Sequence, residues 1–132
     1  MIAVKRAYQP ASCADGTRFL VERLWPRGIS KAKLRVAAWL KEVGPSTELR
    51  QWFRHDPAKW DEFCRRYRWE LDSRPEAWQP IVSAAGRGAV TLVYSSHDTE
   101  HNNAVVLRKY LEARMQQPAK GVATGRAARR SA

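Results

Sequence analysis

The chain has 132 residues, 44% of them hydrophobic, enough for one domain with a packed core and too apolar for a wholly disordered polymer. Lys and Arg number 24 against 13 Asp and Glu, a formal charge of +11 that favours polyanions or small anions as partners. No apolar run approaches the ~20 residues of a membrane-spanning helix, and the first ten residues, MIAVKRAYQP, lack the apolar segment of a secretory signal, so the expected setting is cytoplasmic with no membrane partner.

In chain order, IAVKRAY alternates as a first strand, and SCADGTR is a turn-rich link. Cys13 falls in that link and Cys64 in a later helical pattern; with neither a CxxC pair nor a zinc-like array, both read as free thiols. RFLVERL is a second strand, stopped by Pro26, which has no N–H for a ladder. Ser30 caps a short turn over KAKL. VAAWLKEV reads as a third strand ended by Gly-Pro-Ser. Ser46 then caps a helix over TELRQWF, with Glu48 in its first turn. Asp56 caps another with Pro57 at its first position, and Trp60, Phe63, Cys64, Tyr67 and Leu71 form its apolar stripe. RPEAWQPIVSAAG is a further helix, interrupted near Pro80 and closing at Gly86 or Gly88.

AVTLVY is a continuous β-branched, apolar run, as in a strand covered on both faces. Asp98 is then placed to cap a helix over residues 99–115. The last sixteen residues hold Lys120, Arg126, Arg129 and Arg130 and no acid; removing them leaves +7 on the rest. Residues 1–116 are therefore expected to form a single domain, and 117–132 a basic disordered tail. Strands interleaved with helices predict an α/β layered fold, with a small, largely parallel four-stranded sheet flanked by helices. The short link between the first two strands predicts that this pair is antiparallel.

Ligands of open α/β sheets collect beyond the carboxyl ends of the strands. Three such ends carry polar residues here: Arg23-Leu24-Trp25-Pro26-Arg27, Lys41 to Ser46, and Ser95-Ser96-His97-Asp98 leading to Asn102. On one rim, Arg23, Arg27, Lys41 and Arg50 would line a basic crevice beside two helix amino termini, a setting suited to phosphate or carboxylate. Trp25 would add an aromatic wall, Ser46 a hydrogen bond and Asn102 an orienting amide. His97 is the candidate proton shuttle, with Ser96 beside it. Each residue alone also reads as structural: Arg23 could pair with Glu22, Glu42 or Glu70, and Trp25 could be core.

His97 and His101 are spaced i, i+4, but Asp98 is taken by capping and no third ligand is evident, so no metal is predicted. No GxSxG elbow and no glycine-rich phosphate loop occurs. The sequence does not identify a cofactor, which is unknown at this point.

The ordered motifs DGTRFLVERLWPRGISK, WLKEVGPSTELRQWFRHDPAKWDEFCRRY and TLVYSSHDTEHNNAVVL resemble the YeaO-like proteins, a family of unknown function, over residues 1–115. The resemblance implies a Rossmann-like core, and marks Arg23, Trp25, Arg27, Lys41, Ser46, Glu48, Arg50, Tyr94 and Asn102 as the positions to watch. Wider relatives carry cysteines and a Cys-His-Arg run after the final strand. Here that region reads Tyr94-Ser95-Ser96-His97, so any thiol-dependent chemistry of the wider set is lost or replaced.

The leading functional expectation is a Rossmann-like domain that binds a nucleotide or phosphate ester at the strand ends, with or without hydrolytic or transfer activity. The alternative is a basic nucleic-acid-binding or regulatory module, using the charged surface and tail without catalysis; an interaction domain with a relic pocket is the third.

Overall fold

The computed structural model describes residues 2–116, so the basic tail expected at 117–132 lies outside the described residues. Four strands, β1 (Ile2–Arg6), β2 (Thr17–Leu20), β3 (Ala38–Trp39) and β4 (Val90–Tyr94), pair in the order β1-β4-β2-β3, every pair parallel. The first two strands are thus neither antiparallel nor neighbours, because β4 lies between them. The expectation failed on the reach of an irregular link. Residues 7–16 hold no α-helix, yet at about 3.3 Å per residue they can run back along a five-residue strand and step over another.

That link has a built end. Ser12 and Asp15 form a capping box on the 3-10 turn Cys13–Asp15, and Gly16 follows at φ 66°, ψ −136°. A Cβ on Gly16 would stand 2.2 Å from the carbonyl oxygen of Ala89, the residue that delivers the chain into β4. Only glycine brings the two segments this close.

One face of the sheet carries the helices α2 (Thr47–Phe53), α3 (Trp60–Ser73), α4 (Pro75–Ala85) and α5 (Asn103–Gln116). Phe19, Val90, Leu92 and Tyr94 of the sheet meet Phe53, Phe63, Tyr67, Trp78, Ile81, Leu107 and Leu111 in the main core. The predicted stripe of α3 supplies Phe63, Tyr67 and Leu71. The opposite face is thinly covered by the single-turn α1 (Lys31–Leu34) and its flanking loops; there Leu20 and Val93 pack against Leu34, Trp25, Ile29, Val36 and Trp39. Alternation along β2 and β4 therefore fills two cores of unequal size. The same face buries Arg18, whose guanidinium bonds Asp15 at 2.8 Å and the Leu34 carbonyl at 2.7 Å, with Lys5 on Asp15 at 3.1 Å.

Several boundaries differ from expectation. β2 stops at Leu20, six residues before Pro26, and β3 shrinks to two residues followed by a 3-10 turn at Lys41–Val43. Asp56 caps a 3-10 turn, Pro57–Lys59, that leads into α3. α4 runs through Pro80 without interruption. α5 begins at Asn103, not at residue 99, because the Asp98 carboxylate accepts the N–H groups of Glu100 and His101 in a separate turn. Asn102 takes over the capping, its side-chain oxygen accepting the Val105 N–H. Among the described residues no helix is long and apolar enough to cross a membrane.

Candidate functional site

Beyond the carboxyl ends of β2 and β4 the sheet opens into a cavity of about 800 Å³. Three segments line it: Glu22-Arg23-Leu24 after β2, the end of α2 with Arg54 and His55, and residues 95–98 and 101–103 leading from β4 into α5. Pro45, Phe53 and Phe63 supply apolar wall. Its volume suits a small molecule of nucleotide size.

Glu22 organises the opening. Its carboxylate accepts the Ser95 N–H at 3.0 Å and the Ser95 hydroxyl at 2.8 Å. Burial pushes this carboxyl up from its ordinary range, partly offset by the two Ser95 bonds and by the charges of Arg50 and His55. From the other side Arg6 donates to the carbonyls of Ser95 and Ser96.

Asp98 and His101 form a second unit. Oδ2 of Asp98 lies 3.0 Å from Nδ1 of His101, and the imidazole stands edge-on to Trp60 with centroids 5.0 Å apart. The N–H groups of His101 and Glu100 hold the Asp98 carboxyl below its usual range. A carboxylate on Nδ1 fixes an imidazole's orientation and leaves Nε2 as its working atom. At the far rim Arg54 and His55 both adopt left-handed backbone, φ 50° and 56°, a conformation that costs a non-glycine residue about 1 kcal/mol or more.

Of the nine residues singled out from sequence, five line this cavity: Arg23, Arg50, Ser96, His97 and Asn102. They differ in freedom. Arg23 is spent on the carbonyls of Pro45 and Gly44, with Glu42 at 3.8 Å. Asn102 is 4% exposed, its amide donating to Asp98 O and accepting from Val105. The Ser96 hydroxyl accepts from the Asp98 N–H, and His97 is exposed. Among the described residues the Arg50 guanidinium makes no hydrogen bond or ion pair to protein.

The other four lie elsewhere. Trp25 belongs to the minor core, bonded to the Ile29 carbonyl and edge-on to Trp39. Lys41 rests over the Trp39 ring at 4.2 Å, and Arg27 is exposed. Ser46 caps α2 and is held by Glu70, away from the cavity. Conversely, Glu22, Arg54, His55 and the Asp98–His101 pair were not singled out as ligand-facing. From sequence, Asp98 is assigned to capping a helix from residue 99 and His101 is weighed only together with His97, so the Asp98–His101 pair is missed.

A family model described as "Inactive DUF488-N3 subclade" matches residues 1–128. The uncharacterised protein YeaO of Escherichia coli K12 is 40% identical over 112 residues, 85% of this chain and 97% of that protein. The uncharacterised protein Rv3073c of Mycobacterium tuberculosis H37Rv is 40% identical over 113 residues, 86% of this chain and 95% of that protein. No solved structure matches.

Proposed function

The chain belongs to the inactive DUF488-N3 subclade, the YeaO-like family of unknown function, and from that premise we propose that it binds a small anionic ligand, a nucleotide or phosphate ester, in the cavity at the strand ends. The observation that carries this reading is Arg50: a guanidinium lining an 800 Å³ cavity with its donors unclaimed by protein. Arg50 is half-buried and its donors stay open to the cavity, so an anion can take several of them at once in charge-assisted contacts, the stronger class of hydrogen bond. Arg54, His55, His97 and His101 add donors around the same space.

Binding, rather than turnover, is the better reading. The wider relatives' thiols are replaced by Ser95 and Ser96; Ser95 donates its hydroxyl to Glu22, and the Ser96 hydroxyl is engaged by Asp98. Neither is bonded to the His101 imidazole that could activate it. The family's own description as inactive agrees.

Isothermal titration with AMP, ADP, inorganic phosphate and phosphoserine tests the proposal on wild type and Arg50→Gln. Losing one charge-assisted contact weakens the preferred ligand by about 10- to 100-fold, with the melting temperature held, because among the described residues Arg50 makes no hydrogen bond or ion pair to another side chain. Arg27→Gln leaves this affinity unchanged. Equal affinity in wild type and Arg50→Gln, or no binding of any of these anions, refutes the reading. Release of phosphate from the esters under the same conditions would restore the hydrolytic alternative.

A further inference from the structure

Charge is distributed unevenly over the two faces of the sheet. Between residues 23 and 41 the chain holds Arg23, Arg27, Lys31, Lys33, Arg35 and Lys41 and not one Asp or Glu. This stretch forms the thin cover over the face opposite the helices, anchored by Leu34 against Leu20 and Val93. Apart from Arg23, all of these cations are exposed, and none of the exposed five has an ion-pair partner among the described residues.

The helical side is different. There Glu62 pairs with Arg65 and with Arg66, and Asp72 with Arg114. Of the acids bordering the basic cover, Asp15 is shared by buried Arg18 and Lys5, and Glu42, next to Lys41, is shared by Arg23 and Arg74. The positive potential over this face is therefore uncompensated, a condition that repels another basic surface and attracts a polyanion.

We infer that the acid-free face formed by residues 27–41 is a docking surface for the phosphate backbone of a nucleic acid. It is separate from the strand-end cavity, since none of its exposed cations lines that cavity. Within residues 27–41 the large apolar side chains turn inward: Ile29, Val36 and Trp39 pack on the minor core and Leu34 is fully buried, while exposed Leu24 lies outside this segment, at the cavity. The outer surface thus offers charge without the apolar anchors with which a peripheral protein enters a bilayer. It also offers no row of free aromatic rings for stacking bases: the one exposed ring nearby, Tyr8, donates its hydroxyl to Arg27 O and carries Arg6 at 5.0 Å. Recognition is consequently of phosphates, insensitive to base sequence and steeply dependent on salt.

The test is fluorescence anisotropy of the full chain with a mixed-sequence DNA duplex across a series of salt concentrations. Two quadruple variants carry equal charge loss: Arg27, Lys31, Lys33 and Arg35 to Gln on the proposed face, and Arg65, Arg68, Arg87 and Lys109 to Gln on the helical side. At about 0.9 per phosphate contact, the first should flatten the slope of log affinity against log salt by about 3–4 and weaken binding more than tenfold. The second should retain most of both, and Arg27→Lys with Arg35→Lys should bind as wild type. Arg50→Gln should leave duplex binding intact, so failure here and failure of the cavity proposal are distinguishable. Equal losses in the two quadruple variants, absence of duplex binding by wild type, or binding confined to phosphatidylserine vesicles would each overturn the assignment.

Discussion

Replacing Gly16 by alanine tests the feature that most separates this fold from its sequence-based expectation, the passage of the β1–β2 link over β4. Two costs follow from the geometry. At φ 66°, ψ −136° an alanine backbone is strained by about 1–3 kcal/mol. The added Cβ also falls 2.2 Å from Ala89 O, about 1 Å inside van der Waals contact, against backbone that cannot swing aside. Relief requires moving the entry of β4 away from β2, which sacrifices the 3.0 Å bond from Thr17 N–H to Ala89 O, worth about 1 kcal/mol. With some residual strain the total is about 3–5 kcal/mol, a large share of the 5–15 kcal/mol available to a typical domain. Urea unfolding followed by tryptophan fluorescence should show a lower midpoint at unchanged slope, and the melting temperature should drop by about 10–20 °C. Gly28→Ala is the internal control: φ is 75°, but no atom stands within 4 Å of the added Cβ, so only about 1 kcal/mol is lost. If Gly16→Ala costs no more than Gly28→Ala, the two segments do not approach as described and the crossover is wrong.

Asp15→Ala should cost about 3–5 kcal/mol in the same assay, because it strands Arg18, 4% exposed, without its carboxylate and removes the capping box; a loss under 1 kcal/mol would show that the buried triad contributes nothing. The pH dependence has two opposed parts. Asp15, Asp72 and Asp98 are held below their ordinary values, so the stability they contribute is present at neutral pH and lost as pH falls through their folded values. Glu22 is raised above its ordinary 4.5, so stability declines as pH rises from that value through its folded one, and Glu22→Gln should remove this decline in a pH series of melting temperatures. The same variant should bind inorganic phosphate more tightly than wild type at neutral pH, since it deletes the negative charge facing Arg50; weaker binding would place Glu22 among the groups that hold the ligand.

What the sequence revealed depended on how local the determining physics was. Ser46 and the stretch through Phe53 gave a helix whose observed limits match, because the cap and the helical residues are contiguous. The uninterrupted VTLVY run identified a strand buried on both faces, and every one of its residues is buried. Where a long-range side chain intervened, local reading failed. Nothing near Pro26 ends β2; Glu22 ends it by reaching Ser95, seventy-three residues away. Asp98 has the composition of a helix cap and does accept two N–H groups, but Asn102, four residues later, defines the helix. Arg23 and Arg50 are equivalent in sequence terms, yet packing commits the first to Pro45 and Gly44 and leaves the second free. That difference requires the loop after β3 to be placed in space.

The cavity itself follows from Glu22 and Arg6 acting on one residue. In a continuing parallel ladder, the main chains of β1 and β2 would satisfy the N–H and C=O of Ser95. Here the Glu22 carboxylate takes the N–H and the Arg6 guanidinium takes the carbonyl. Side chains reach further than main-chain groups, so the backbone polar atoms of Ser95 stay satisfied where the ladder ends. The cavity beyond that point is lined by the segments after β2 and β4 and by the end of α2, with Phe53 and Phe63 as apolar wall. Glu22 therefore opens the cavity and also places a negative charge inside it. With Arg23 engaged by carbonyls and Asp98 held by His101, the charges that act on Glu22 are those of Arg50 and His55. On the proposed anion-binding reading, a phosphate beside Arg50 meets the Glu22 charge, and a proton on Glu22 removes that repulsion. On that reading, anion binding and protonation of the half-buried Glu22 carboxyl are linked through the Arg50 side of the cavity.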